Sequence, residues 1–226
     1  PYVTVRRQEG LVQLRSRAGR DLQPRRGDFD RTFVGSSIKT YSRISIAAGD
    51  IQTGVVFEKD GGERISNGFI SGYAAVKDLG VLSQVLVGDF NVASGQGLVL
   101  WRGTSFGKGG EAVSASKKSG LGAQPYRSSD EFNFFRGVAA NLSFGLGFGT
   151  IEATAFFSRR TLDATVDPSG MVSSFYEGGY FRTQNELQKQ KALVEQVTGG
   201  RVQVVGTDGW SIGSTLFRST FDKSLV

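Results

Sequence analysis

The sequence predicts an all-β fold, an antiparallel meander of long strands. Three observations predict it. Apolar and polar side chains alternate with a period of two along most of the chain. Several alternating runs reach about ten residues, which is long for a strand. Short motifs rich in Gly and Asp separate the runs. The whole chain, residues 1–226, is predicted to be one domain with loop insertions at 104–131 and 161–181.

The first part of the chain alternates over three runs, at 10–20, 36–48 and 51–58. Each run sets apolar residues on one parity and polar, charged or small residues on the other. The polar or small parity holds a group of long side chains on adjacent predicted strands: Arg15, Arg17, Lys39, Arg43, Gln52 and Glu58.

The clearest pattern is a predicted β-hairpin over 136–160. Two alternating runs of about ten residues flank the turn "GLGFG" at 145–149. In the second run, Glu152 lies on the parity opposite to the apolar residues. The apolar parity of the two runs includes Leu142, Phe144, Ile151 and Phe157.

Five more strands are predicted from the same alternation, and one segment breaks the alternation. Residues 183–196, "TQNELQKQKALVEQ", contain good helix formers, with Thr183 as an N-cap and Glu186 three residues later. A short helix is favoured there over a charged extension of a strand. The strands are predicted at 67–77, 82–91, 96–103, 199–206 and 209–221.

The composition excludes most enzyme classes. The chain has 0 His and 0 Cys, which removes the usual general base, the Ser-His-Asp and Cys-His arrangements and the usual zinc ligands. We therefore expect no catalytic site, no cofactor and no metal. The net charge of +6 is spread along the chain and forms no single run, so nucleic acid is not an expected partner of these residues.

Two architectures fit an alternating all-β chain. A soluble or periplasmic barrel or sandwich buries its large apolar side chains, whereas a membrane barrel turns them outward to lipid. Long strands, long polar loops on one side, tight turns on the other and 17 Phe favour an outer-membrane-type β-barrel. The soluble or periplasmic binding module remains the alternative.

The barrel prediction assigns the two parities to two environments. The apolar set Leu142, Phe144, Ile151 and Phe157 is predicted to face lipid. A lumen with opposite charges paired across strands would be narrow and, if positive groups prevail, selective for anions. Plain structural pairing of the same charges is the other interpretation. The residues predicted to line the lumen are Arg15, Arg17, Lys39, Arg43, Gln52, Glu58, Gln96 and Glu152.

Several stretches together resemble a family of bacterial proteins. "FVGSSIKTYSRI", "VFEKDGGE", "LVGDFNVASGQGLVLW", "PYRSSDEFNFFRGVA" and "GGYFRTQNELQKQ" resemble, in the same order, the helix-hairpin-helix domain-containing proteins found mainly in the Bacteroidetes. In that family an N-terminal helix-hairpin-helix region precedes a β-rich region that looks like an outer-membrane barrel. No helix-hairpin-helix pattern occurs in residues 1–226, so a DNA-binding role is not carried over to them.

The resemblance implies an outer-membrane location and a barrel architecture more than an activity. The first functional hypothesis for such a barrel is a pore, transport or surface-scaffold role. The expected partners are outer-membrane lipid and an unknown solute or protein. A further alternative is a DNA-handling envelope protein linked to DNA uptake through an upstream helix-hairpin-helix region. Because the chain opens on Pro1 and ends on "FDKSLV", we expect it to be a fragment of a larger barrel, truncated at both ends.

Overall fold

The computed structural model describes residues 10–95, 97–100 and 120–226, and β-strands dominate them. No helix in this part of the chain is long and apolar enough to cross a membrane. The strands are β1 (Leu11–Gly19), β2 (Lys39–Ala48), β3 (Ile51–Lys59), β4 (Phe69–Leu79), β5 (Leu82–Ala93), β6 (Gly122–Pro125), β7 (Phe135–Leu146), β8 (Gly149–Leu162), β9 (Ala164–Val166), β10 (Val172–Phe175), β11 (Leu193–Gly206) and β12 (Ser211–Phe221). The helices are α1 (Arg26–Phe29) and α2 (Gln184–Leu187), and a 3₁₀ turn spans Ile65–Asn67.

One large antiparallel sheet holds the long strands. They lie side by side in the order β1-β2-β3-β4-β5-β7-β8-β11-β12, while the short β6 pairs with β5 and the β9-β10 pair forms a separate sheet. Among the described residues this sheet is open, because β1 and β12 are its edges and no ladder joins them. The predicted all-β antiparallel meander is confirmed, and closure into a barrel is not part of the described sheet.

The two ends of the sheet differ in their connections. At the turn end, residues 49–50, 80–81, 147–148 and 207–210 join successive strands directly. Gly49 and Gly80 adopt φ of +55° and +70°, the positive range that tight hairpin turns require. At the loop end, the connections from β1 to β2, β3 to β4, β5 to β7 and β8 to β11 are all longer. The predicted contrast between tight turns on one side and long loops on the other is confirmed.

Most predicted strands are present with small shifts of their ends. The runs at 10–20, 36–48, 51–58, 67–77 and 82–91 correspond to β1 to β5, the hairpin within 136–160 to β7 and β8, and the last two runs to β11 and β12. The strand predicted at 96–103 is wrong for residues 97–100, which form bends, and its other positions lie outside the described residues.

The short helix predicted near 183–196 is present, but it spans only one turn at the start of that segment. The cap forms as expected, because Thr183 Oγ1 accepts a hydrogen bond from the Glu186 amide at 3.3 Å and Glu186 Oε2 accepts one from the Thr183 amide at 2.9 Å. Helix α2 nevertheless ends at Leu187, and β11 begins at Leu193. Ladders to β8 and β12 on both sides of β11 outweigh the local helix propensity of this segment.

The two predicted loop insertions also contain strands. The stretch 161–181 begins with the last residues of β8 and then carries the β9-β10 hairpin. The described part of 104–131 carries β6. Both corrections concern strands of three or four residues, which are too short for alternation to reveal.

The strand register divides the side chains of the long strands between two faces. The core face, which contains the main hydrophobic cluster, is continuous across one row of paired residues from Ala47 and Gln52 to Gly199 and Phe217. The outer face is the opposite one. The main cluster consists of Tyr73, Ala75, Leu86, Phe90, Val92, Leu100, Ala123, Phe135, Ala139, Phe156 and Val197.

Three phenylalanine rings form the centre of this cluster. The ring centroids of Phe135 and Phe156 lie 5.2 Å apart, and those of Phe90 and Phe156 lie 6.1 Å apart. Burying one such ring stabilises a fold by roughly 1.5–3 kcal/mol. Gly199 sits against Phe156 on the next strand, where a Cβ atom would lie 2.7 Å from the ring. The absence of a side chain at Gly199 lets the ring lie on the backbone of β11.

Candidate functional site

The residues predicted to line a lumen share the core face. The pairs Arg15–Arg43, Arg17–Tyr41 and Tyr41–Glu58 place the long charged side chains of β1, β2 and β3 on one face. The described residues of the set, all on this face, are Arg15, Arg17, Lys39, Arg43, Gln52, Glu58 and Glu152. Gln96 lies outside the described residues.

Four arginines form what we call the basic wall: Arg15, Arg17, Arg43 and Arg127. Arg15 stands directly opposite Arg43, so two like charges are cross-strand neighbours. The guanidinium of Arg17 lies 4.8 Å from the centre of the Tyr41 ring. In the described part of the chain, none of the four has a carboxylate oxygen within 4 Å. The wall is therefore a region of uncompensated positive charge.

Arg127 joins the wall from the loop before β7, and the sequence prediction missed it. Its Nη2 donates to Gln52 Oε1 at 3.3 Å, and its guanidinium lies 5.7 Å from the centre of the Tyr73 ring. With Arg43 and Gln52 it lines a cavity of about 250 Å³. Strand periodicity carries no signal for a loop residue that reaches back over a sheet.

One of the two acidic members of the predicted set, Glu58, is neutralised by lysine. Lys39 Nζ lies 2.8 Å from Glu58 Oε1 and 2.6 Å from Asp60 Oδ1. The predicted pairing of opposite charges on neighbouring strands is present here, at the loop end of β2 and β3. It leaves Arg15, Arg17 and Arg43 without this carboxylate, so positive charge prevails on this half of the core face.

The other half of the core face is covered by β6 and the residues around it. Asn141 Oδ1 accepts a hydrogen bond from the Ala123 amide at 2.9 Å, and Asn141 Nδ2 donates to the Ala123 carbonyl at 2.8 Å. Thr154 Oγ1 donates to Asn141 Oδ1 at 2.9 Å, and Arg201 Nη1 donates to the Gly120 carbonyl at 3.2 Å. Polar side chains of the sheet thus hold this segment against the core face.

A polar cavity of about 350 Å³ lies beside the covering segment. It contains one carboxylate, Glu152, and one cation, Arg201. Gln84 Nε2 is buried in its wall with no hydrogen-bond partner in the described structure. Sequence reasoning identified Glu152 but missed Gln84, Asn141 and Arg201. Their polar parity was visible, whereas the segment that they contact could not be inferred from it.

The outer face carries the residues predicted to face lipid. Leu142 pairs with Ala153, Phe144 with Ile151 and Phe157 with Val138, all on the outer side of the β7-β8 hairpin. Leu142 and Ile151 are half-buried by their neighbours, while Phe144 and Phe157 are 39% and 42% exposed. The same face continues to both edges of the sheet through exposed Val12, Leu14, Ile44, Ile46, Ile51, Val55, Ile70, Val87, Val138, Val202, Ile212 and Leu216.

A cluster of carboxyl groups lies at the loop end. Burial away from water raises the pKa of Glu131 to about 8, and the carboxylates of Glu63 and Asp163 add to the rise. Burial also raises the pKa of Glu63 and of Asp163. Backbone amides hold the two neighbours in place: Phe181 donates to Glu63 Oε1 at 2.6 Å, and Lys191 donates to Asp163 at 2.7 Å.

Neither the acidic cluster nor any other described part of the chain offers a metal site, since no group of three or more Asp and Glu residues there could hold an ion.

Comparison with known proteins gives no match: no family model, no curated protein and no solved structure is similar to the chain. The resemblance to helix-hairpin-helix proteins therefore stays a prediction.

Proposed function

We propose that the protein is an outer-membrane β-barrel protein whose interior wall admits an anionic solute. The observation that carries the proposal is the division of side chains between the two faces. The outer face is an apolar band across nine strands, and most of the charged side chains of these strands lie on the core face. Soluble monomers rarely expose apolar patches larger than a few hundred Å², whereas membrane barrels turn such a band to lipid.

The dimensions of the sheet support the same proposal. The strands of the meander contain 9 to 14 residues. Tilted strands of about 9–11 residues span the hydrocarbon core of a bilayer. Tight turns at one end and longer loops at the other match the usual asymmetry of outer-membrane barrels.

The proposal requires that the two sheet edges be paired. Unpaired backbone amides and carbonyls cost several kcal/mol each in lipid, and the apolar band runs out to both β1 and β12. In the proposed barrel further strands meet these edges.

The basic wall supports the solute class. Arg15, Arg17, Arg43 and Arg127 attract anions and repel cations along a path beside β1 to β3. A surface scaffold is the second candidate function. It is favoured by the cluster around Phe90 and Phe156 and by the covering segment, which together fill the other half of the core face.

A pair of neighbouring variants tests the membrane proposal. Leu142→Arg places a charge on the outer face, where we expect a loss of about 2–4 kcal/mol of folding free energy in phospholipid bilayers. Ser143→Arg, on the core face opposite Glu152, is the matched control and should change this free energy by less than about 0.5 kcal/mol. Urea titration of protein folded into phosphatidylcholine vesicles measures both.

Two results would contradict the proposal. Equal effects of the two arginines would show that the faces do not meet different environments. Purification of the full-length protein from the soluble fraction without detergent would favour the soluble or periplasmic binding module. A folded, inserted protein that conducts no ions would leave the scaffold as the remaining role.

A further inference from the structure

Exposed cations on the outer face are confined to one side of the described sheet. They are Arg136 on β7, Arg159 on β8 and Arg218 on β12, and no other described strand residue on this face has an exposed cationic side chain. The outer-facing residues of β1 and β2 are uncharged. The three arginines lie toward the loop end, where the apolar band stops.

Arg159 and Arg218 differ from Arg136 in lacking a partner. Arg136 Nε and Nη2 donate to Asp89 at 2.6 Å and 2.8 Å, so its charge is compensated. The side chains of Arg159 and Arg218 are exposed and make no hydrogen bond or ion pair with another described residue. At the edge of a membrane an arginine side chain reaches the interface at little cost, and the lipid phosphates of that interface are the anions that these two side chains meet there.

The two arginines are close enough to bind one anion together. Arg159 pairs with Gln196 and Arg218 pairs with Thr198, both on the intervening strand β11. Two strand spacings across the sheet and a register offset of two residues along it separate their backbones by about 12 Å. Both side chains point to the outer face, and each can extend over β11 toward the other. Guanidinium groups bind phosphate through paired hydrogen bonds.

An apolar groove begins at Arg218 and continues toward the turn end. Its volume is about 880 Å³, and Arg218 lines its upper end. Its floor is formed where Ala155 pairs with Gly200, since both residues leave the surface low. Leu216, 80% exposed, stands beside Gly200 on β12 and forms a side of the groove.

We propose that Arg159 and Arg218 bind the phosphate of an anionic lipid whose acyl chain lies in this groove. The charge of the arginine pair complements a phosphate, and the apolar groove directly below complements the attached chain. The inference rests on the proposed membrane location and adds to it a specific lipid site on β8, β11 and β12.

The test compares lipid binding by three forms of the protein. The protein is inserted into vesicles of phosphatidylcholine with a minor share of phosphatidylglycerol, extracted with its bound lipid and analysed by native mass spectrometry. We expect the unmodified protein to retain phosphatidylglycerol preferentially. Arg159→Gln with Arg218→Gln should reduce that preference at least about tenfold. The control, Arg20→Gln with Arg31→Gln, removes two exposed loop charges and should retain it.

A second variant tests the groove. Ala155→Leu raises the floor with an apolar side chain that lipid tolerates, and it should lower retention of phosphatidylglycerol while insertion is unchanged. Insertion itself is followed in pure phosphatidylcholine vesicles by the shifted migration of the unheated protein in gels.

The outcomes separate the two proposals. A protein that inserts into phosphatidylcholine but shows no preference for phosphatidylglycerol, or retains it in the double variant, overturns the lipid site alone. A protein that inserts into neither kind of vesicle overturns the membrane function and the lipid site with it.

Discussion

The carboxyl group of Glu131 lies at the loop end, and its raised pKa makes the stability of the fold depend on pH. It packs against Gly179 and shares a cavity of about 200 Å³ with Asp163, Phe134 and Phe181. Because burial disfavours its charged form, the folded protein binds this proton more tightly than the unfolded chain does. The pKa of Glu131 rises from its ordinary 4.5 to about 8.

This shift predicts a stability that falls with rising pH. The contribution of protonated Glu131 is fully present below pH 4.5 and is lost as the pH rises to about 8, because the folded state must then lose a proton that it holds tightly. Glu131→Gln should remove most of this dependence. The thermal unfolding midpoint in detergent micelles between pH 4.5 and pH 8.5 measures it.

A matched control is Glu177→Gln, which changes an exposed carboxyl group in the same loop region. It should keep the pH dependence of the unmodified protein. If Glu131→Gln unfolds with the same pH dependence as the control, the carboxyl group of Glu131 does not titrate as proposed.

At the scale of the element, the contact between Gly199 and aromatic rings fixes how β11 sits between its neighbours. A Cβ atom at Gly199 would lie 2.7 Å from both the Phe156 ring and the Phe217 Cβ. Both neighbours belong to strands that flank β11, so neither can move without disturbing a ladder. A side chain at this position therefore strains the sheet from two sides.

We predict that Gly199→Val destabilises the protein by roughly 1–3 kcal/mol, the usual cost of overpacking. Gly145→Val on β7 is the control, because a Cβ atom there meets nothing within 4 Å and a β-branched residue suits a strand. Gly145→Val should be neutral or slightly stabilising. Urea unfolding followed by circular dichroism compares the two, and equal destabilisation would contradict the packing explanation.

The elements that sequence reasoning found are those with long, regular alternation. Residues 136–160 gave the β7-β8 hairpin because ten alternating positions on each side exclude a helix. In the segment 183–196 the capping box, a local signal, correctly predicted the start of a short helix. The ladder that extends β11 back to Leu193 depends on residues far away in the sequence and could not be predicted.

The candidate site, too, could be predicted only where its residues lie on regularly alternating strands. The charged residues of β1 to β3 could be assigned to one face because the side chains of a strand alternate strictly. The hydrogen bonds from Asn141 to Ala123 and from Arg201 to Gly120 could not be predicted, since they join a sheet to a segment without periodicity.

At the scale of the whole molecule, the charges of the core face are distributed unevenly. The basic wall lies beside β1 to β3, whereas the apolar cluster and the covering segment occupy β4 to β11. An ion that crosses the proposed pore through the free space on this face passes the arginines of the basic wall. The sign of the charge on the basic wall is therefore the main determinant of ion selectivity in the proposed pore.

Reversal of one charge tests this directly. Arg43→Glu creates an opposite-charge pair with Arg15 and should lower the preference for anions over cations at least about threefold. The reversal potential in planar bilayers under a salt gradient measures the preference. Arg26→Glu makes the same charge change on a side chain that is 94% exposed in the short helix α1, and it should leave the reversal potential unchanged.

The direction of the two edge strands of the open sheet limits how a barrel can be completed. Nine strands follow one another with every neighbour antiparallel, so the first and the last point in the same direction. Joining β1 directly to β12 would therefore create a parallel seam. A barrel that is antiparallel throughout, as in bacterial outer membranes, must gain an odd number of strands beyond these nine, and the new strands that contact β1 and β12 must both run opposite to them.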